Sequence, residues 1–213
     1  MTIKAIAWDI DGTLVDSEPL HHQALLAGTA HFGTDLSDIP EDRFRGVHMD
    51  AVFEEVKSRL PARLGFERWI EPIRNHYIAN AGELQPIEGV LAAMNAAADY
   101  GLLQVCVSNS GRNIVDANIA ALGIADKLRF SISINDVRNG KPDPEPYLTA
   151  AEQLQLAPAE IIAIEDSLTG AISAHAAGMK VVGYGLTAET GHSSIDHYLI
   201  RYTELPAILR GYM

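Results

Sequence analysis

Ile3-Lys4-Ala5-Ile6-Ala7-Trp8-Asp9-Ile10, running into Asp11-Gly12-Thr13, decides the reading of this chain. Apolar residues dominate the run and stop at an Asp-Gly pair, the pattern of a buried strand that ends in a turn. The same signal returns twice. Leu102-Leu103-Gln104-Val105-Cys106-Val107 ends at Ser108-Asn109-Ser110-Gly111, and Ile161-Ile162-Ala163-Ile164 ends at Glu165-Asp166-Ser167.

Amphipathic stretches separate these runs. Val90, Leu91, Met94, Ala97 and Ala98 fall at helical spacing, as do Ile114, Val115, Ile119 and Leu122, with Gly101 and Gly123 where C-caps belong. Strands alternating with helices from about residue 86 onward imply an α/β domain whose parallel sheet is covered on both faces. Further strands are expected at Leu128 to Ile134, Lys180 to Tyr184 and Tyr198 to Ile200. Residues 16–84 break the rhythm with successive helical patterns, Glu18 to Phe32, Met49 to Leu60 and Phe66 to Ala81, and no strand between them. The expectation is a core domain of residues 1–15 and 85–213, interrupted by a helical domain of residues 16–84.

Composition narrows the function classes. Over 213 residues, 47% hydrophobic and 21% charged is ordinary globular usage with enough apolar side chain for a sizeable core. A formal net charge of −12 argues against nucleic-acid binding, which uses a basic face. It also repels anionic substrates, so any phosphate ester must be drawn in by a local metal ion, a lysine and backbone N–H groups. The single Cys106, between Val105 and Val107, reads as a buried strand residue, not a reactive thiol. No apolar stretch reaches membrane-spanning length and no leader pattern follows Lys4, so a cytoplasmic protein with no membrane partner is expected.

Asp9 and Asp11 stand at the C-terminal end of the first strand, where open α/β sheets place their ligands. Side chains at i and i+2 of an extended segment point the same way, so one carboxylate can attack while the other handles protons. Glu165-Asp166 adds two carboxylates at another strand end, and such a set of hard oxygen donors suits Mg²⁺. Lys141, in Gly140-Lys141-Pro142-Asp143-Pro144, sits in a turn-rich loop from which its ammonium can pair with a phosphoryl group and with Asp9. Ser108, Asn109, Ser110 and Gly111 lie between a strand and a helix, where hydroxyl and N–H groups cradle an oxyanion. Singly, each segment is also an ordinary turn, loop or helix cap. Their order at strand ends sets them apart.

Those four segments, in that order, resemble the haloacid dehalogenase superfamily of phosphohydrolases, and the residues 16–84 insertion resembles its helical cap, of the phosphoglycolate phosphatase and beta-phosphoglucomutase subgroup. The resemblance spans nearly the whole chain. It implies a Rossmann-like sheet of order 5-4-1-2-3. It further implies that Asp9 forms an aspartyl-phosphate, that Asp11 protonates the leaving alkoxide and then activates water, and that Gly12, Ser108, Asn109 and Lys141 hold the phosphoryl group. Mg²⁺ would bind Asp9, the Asp11 carbonyl and Asp166, with Glu165 direct or through water. A carboxylate at Asp11 argues against the family's dehalogenases, whose halide leaving group needs no acid.

Within the insertion, Glu18, His21, Arg45 and His48 are the candidates for substrate contact. The implied partner is a small phosphorylated metabolite, and the implied assembly a monomer or weak homodimer. Two other readings stand beside a phosphatase. Asp16-Ser17-Glu18 with His21 resembles the start of a phosphosugar mutase cap, although Met49 stands where that enzyme is expected to carry an arginine for a second phosphate. A catalytically silent phosphate-binding regulator is the other, and it would need neither a nucleophile nor an acid.

Overall fold

The computed structural model describes residues 2–187 and 192–212. The chain divides into two compact units, one of Met1–Asp16 with Gln85–Met213 and the other of Ser17–Leu84.

In the first unit the strands are β1 (Ala5–Trp8), β2 (Leu103–Val107), β3 (Ser131–Ile132), β4 (Ile161–Glu165), β5 (Lys180–Tyr184) and β6 (His197–Leu199). They form one parallel sheet in the order β3-β2-β1-β4-β5-β6. Read from the other edge, this contains the expected 5-4-1-2-3, with β6 added beyond β5. The central strand is wholly buried, as are Ile161 to Glu165, which explains why these runs lack the alternation of a half-exposed strand. Cys106 is buried in β2, and burial pushes its thiol up, away from the reactive thiolate.

The third strand is shorter than the apolar pattern from Leu128 to Ile134 predicts. Arg129 and Cys106 still make cross-strand bonds, to the Gln104 and Phe130 carbonyls. Ser133 then turns the chain: its hydroxyl accepts the Asn135 N–H, while the Asp136 carboxylate accepts the Ser133 N–H at 2.7 Å. The helices α4 (Val90–Asp99), α5 (Arg112–Leu122), α6 (Glu145–Leu154), α7 (Leu168–Ala176) and α8 (Leu205–Arg210) complete this unit. Gly123 takes the left-handed C-cap that its position predicts (φ 63°).

The Ser17–Leu84 unit holds α1 (Glu18–Ala30), α2 (Met49–Val56) and α3 (Phe66–Asn80), with single 3₁₀ turns between them and no strand among its described residues. The expected helix from Met49 to Leu60 ends early, continuing only as a 3₁₀ turn at Lys57–Arg59. Helices α1 and α3 pack tightly because Gly28 leaves room for Ile73: a Cβ at Gly28 would fall 2.4 Å from Ile73 Cγ1. Trp69 donates to Thr29 Oγ1 at 3.1 Å across the same seam, and buried Phe53 and Trp69 pack together with half-buried Phe66 against them.

Candidate active site

Parallel strands deliver their C-terminal ends to one edge of the sheet, and β1 lies between β2 and β4, so the segments after these three strands meet. The Asp9 N–H extends the ladder by donating to the Ile164 carbonyl at 3.0 Å, which fixes where its side chain starts. Asp9, Glu165 and Asp166 then place carboxylate oxygens within 4.8 Å of one another.

Lys141 is the cation among them. The residue is 5% exposed, and its ammonium donates to Asp9 Oδ1 at 2.6 Å, Glu165 Oε1 at 2.5 Å and the Val107 carbonyl at 2.8 Å. The two carboxylates hold its pKa above the ordinary lysine range although burial opposes them. The loop bearing Lys141 is itself pinned. Asn109 donates from Nδ2 to the Lys141 carbonyl at 3.0 Å and accepts the Lys141 N–H at 2.8 Å.

One lysine does not balance three carboxylates. Burial first, then the charge of Glu165, raises the Asp9 carboxyl well above the usual range, with Lys141 opposing. Burial and Glu165 likewise raise Asp166 to about 7. Glu165, fully buried, has both oxygens engaged: Oε1 by Lys141 and by Tyr147 Oη at 2.6 Å, Oε2 by Ser167 Oγ at 3.2 Å. Asp166 accepts from Thr13 Oγ1 at 3.3 Å and approaches Gly12 so closely that a Cβ there would lie 2.0 Å from its Oδ2. Gly12 also carries φ +80°, so it meets two constraints that only glycine satisfies. A set of oxygen donors with uncompensated negative charge fits a hard divalent cation.

Asp11 is held by hydroxyl and amide donors. Its Oδ2 accepts from Ser110 Oγ at 2.8 Å and from Ser108 Oγ at a longer 3.4 Å; its Oδ1 accepts from Asn118 Nδ2 at 3.1 Å. The Ser108 hydroxyl in turn accepts the Ser110 N–H at 3.0 Å.

Residues 6–184 match the model of the haloacid dehalogenase-like hydrolases. The chain belongs to that family. YhcW of Bacillus subtilis, named provisionally as a phosphatase, is 30% identical over 210 residues, 97% of this chain and 96% of its own. The N-acetylmuramic acid 6-phosphate phosphatase of Pseudomonas aeruginosa is 30% identical over 195 residues, 87% of this chain and 84% of its own. The fold matches the crystal structure of CbbY from Rhodobacter sphaeroides in complex with phosphate, with a TM-score of 0.84 at 23% identity, covering 95% of this chain and 96% of that one.

Two residues expected to touch phosphate also carry structural bonds. Gly12 donates its N–H to the Val15 carbonyl at 2.9 Å and so contributes room for Asp166, with no donor left over. Asn109 spends its side chain on the Lys141 backbone. In the helical unit, Glu18 Oε1 accepts the Gly46 N–H at 3.1 Å, the His21 ring stacks on Tyr77 with centroids 4.4 Å apart, and Arg45 and His48 are exposed. Thr13, Asn118 and Tyr147 were not anticipated. Each is buried and polar or amphipathic within an apolar pattern, and each hydrogen-bonds one of the four carboxylates.

Proposed function

We propose that the chain is a Mg²⁺-dependent phosphatase that hydrolyses a small phosphate monoester, of sugar-phosphate or phosphoglycolate type, through an aspartyl-phosphate on Asp9. The observation that carries this reading is the arrangement of Asp9: one oxygen pinned by Lys141, Asp166 beside it, and a second carboxylate, Asp11, two residues on and held by Ser110 and Asn118. The phosphatase names of the relatives support the substrate class.

The oxygen of Asp9 not held by Lys141 attacks phosphorus as the ester P–O bond breaks, and Asp11 gives its proton to the departing alkoxide. Asp11, now a carboxylate, takes a proton from water as that water attacks phosphorus and the P–O bond to Asp9 breaks, which restores both groups. Lys141 and the Ser108 hydroxyl bind the phosphoryl oxygens, joined by the backbone N–H of Asn109. A divalent cation held by Asp9, Asp166 and the Asp11 carbonyl, with Glu165 adding charge, would neutralise the oxygens of the transferring group. Glu165 also fixes Lys141. Choice among esters is assigned to Glu18, His21 and Arg45 of the helical unit, on the family resemblance alone. No helix among the described residues is long and apolar enough to cross a membrane. We assign this phosphatase to the cytoplasm, as a monomer or weak homodimer.

Phosphate release from 2-phosphoglycolate, hexose and pentose phosphates, 6-phosphogluconate and beta-glucose-1-phosphate tests the reading. The expected result is release from at least one ester, abolished by chelator and by Asp9→Asn. Turnover retained by Asp9→Asn refutes the covalent step; isomerisation without release makes the protein a mutase; silence across the panel favours the regulator.

A further inference from the structure

Helix α5 turns Ile114, Val115, Asn118 and Leu122 inward. Three are apolar and one is an amide with no exposed surface. A buried amide is costly unless its hydrogen bonds are made, so an asparagine in this stripe requires a partner. That partner is Asp11 Oδ1, 3.1 Å from Asn118 Nδ2. Turning the amide over would set its oxygen against a carboxylate oxygen, so the donor orientation is the stable one. The helix is fixed at its start, where the Arg112 N–H donates to Asn135 Oδ1 at 2.8 Å and its guanidinium donates to Asp136, Ser131 Oγ and the Ser131 carbonyl.

We propose that Asn118 is a positioning residue for Asp11, setting the direction in which that carboxyl delivers its proton to the leaving group. The proposal rests on the phosphatase reading and on the role of Asp11 within it. An amide N–H can only donate, so it keeps Oδ1 as an acceptor throughout the cycle. The proton therefore travels on Oδ2, where the Ser110 hydroxyl, 2.8 Å away, can turn from donor to acceptor. Asn118 itself touches neither substrate nor the reacting atoms.

The test separates positioning from scaffolding by the leaving group. A nitrophenolate departs without a proton, whereas an alkoxide needs one, so kcat/KM for an alkyl phosphate reports on Asp11 and kcat/KM for nitrophenyl phosphate reports little of it. For Asn118→Leu, of similar size but without a donor, kcat/KM on the alkyl ester should fall about 10- to 100-fold, as expected for a misplaced catalytic group. On nitrophenyl phosphate it should stay within roughly 3-fold. Asn118→Ala, which removes the donor without adding a charge beside Asp11, should show the same split and serves if the leucine variant fails to fold. Equal losses on both esters, or no loss on the alkyl ester, overturn the positioning role. Wild-type protein that releases phosphate from neither ester overturns the phosphatase reading, and this proposal with it.

Discussion

Replacing Lys141 with methionine removes the one cation that contacts Asp9 and Glu165 among the described residues while keeping most of the side-chain volume. At separations of 2.6 and 2.5 Å, each carboxylate is attracted to the ammonium by about 6 kcal/mol in an effective dielectric near 20. The loss is limited by protonation, because an unpaired buried carboxylate takes up a proton instead of staying charged. Holding a carboxyl protonated at pH 7 costs roughly 1.4 kcal/mol per pH unit above its unfolded pKa near 4, or about 4 kcal/mol. The lysine's own desolvation offsets part of this, so the expected destabilisation is about 3–5 kcal/mol. Thermal or urea unfolding in chelator reads it, as a fall of roughly 6–20 °C in Tm. In the variant a carboxyl that has lost the ammonium has its folded pKa raised further above the unfolded one than in wild type, so stability is lost more steeply as pH rises through that interval and regained as it falls. The difference from wild type should shrink to about 1–2 kcal/mol at pH 5. A difference below about 1 kcal/mol at pH 7, or one unchanged between pH 7 and pH 5, would refute the account of Lys141 as the counter-ion of this cluster.

The remaining predictions concern the same acidic cluster. With Asp9 raised and Asp166 raised to about 7, the metal-free protein binds more protons folded than unfolded between about pH 4 and 7. Its stability should decline as pH rises through that window, and millimolar Mg²⁺ should remove most of the decline; a metal-insensitive slope would count against a cation site here. Gly12→Ala should weaken Mg²⁺ activation at least tenfold, because its Cβ would fall 2.0 Å from Asp166 Oδ2 at a φ of +80°. An unchanged Mg²⁺ titration of phosphate release would show that Asp166 has freedom to move aside.

The sheet and the meeting of Asp9, Lys141 and Glu165-Asp166 were legible because the apolar runs of β1, β2 and β4 end at those polar clusters, and a parallel sheet brings such ends together. What escaped was the division of labour inside the cluster. Glu165 reads as one more metal-binding carboxylate, and nothing in its position along the sequence tells that its oxygens also accept from Lys141, Tyr147 and Ser167. Tyr147 and Asn118 sit within helical stripes whose inward direction depends on tertiary packing, and periodicity pointed to Ile119 where the structure buries Asn118. The third strand was overestimated for a related reason: the apolar pattern around it continues, but the Ser133 turn cuts the pairing short.

The central position of β1 has a consequence for synthesis on the ribosome. Trp8 pairs with Cys106 on one side and Ile164 on the other, so the strand bearing Asp9 waits nearly 100 residues for its first neighbour and over 150 for its second. The intervening Ser17–Leu84 segment draws its packing from within itself and has no such wait. During translation the bare apolar strand emerges first, ahead of the helical unit, and its exposure lasts until β4 emerges. That interval, more than any weakness of the finished sheet, is where this chain is open to aggregation and to chaperone capture.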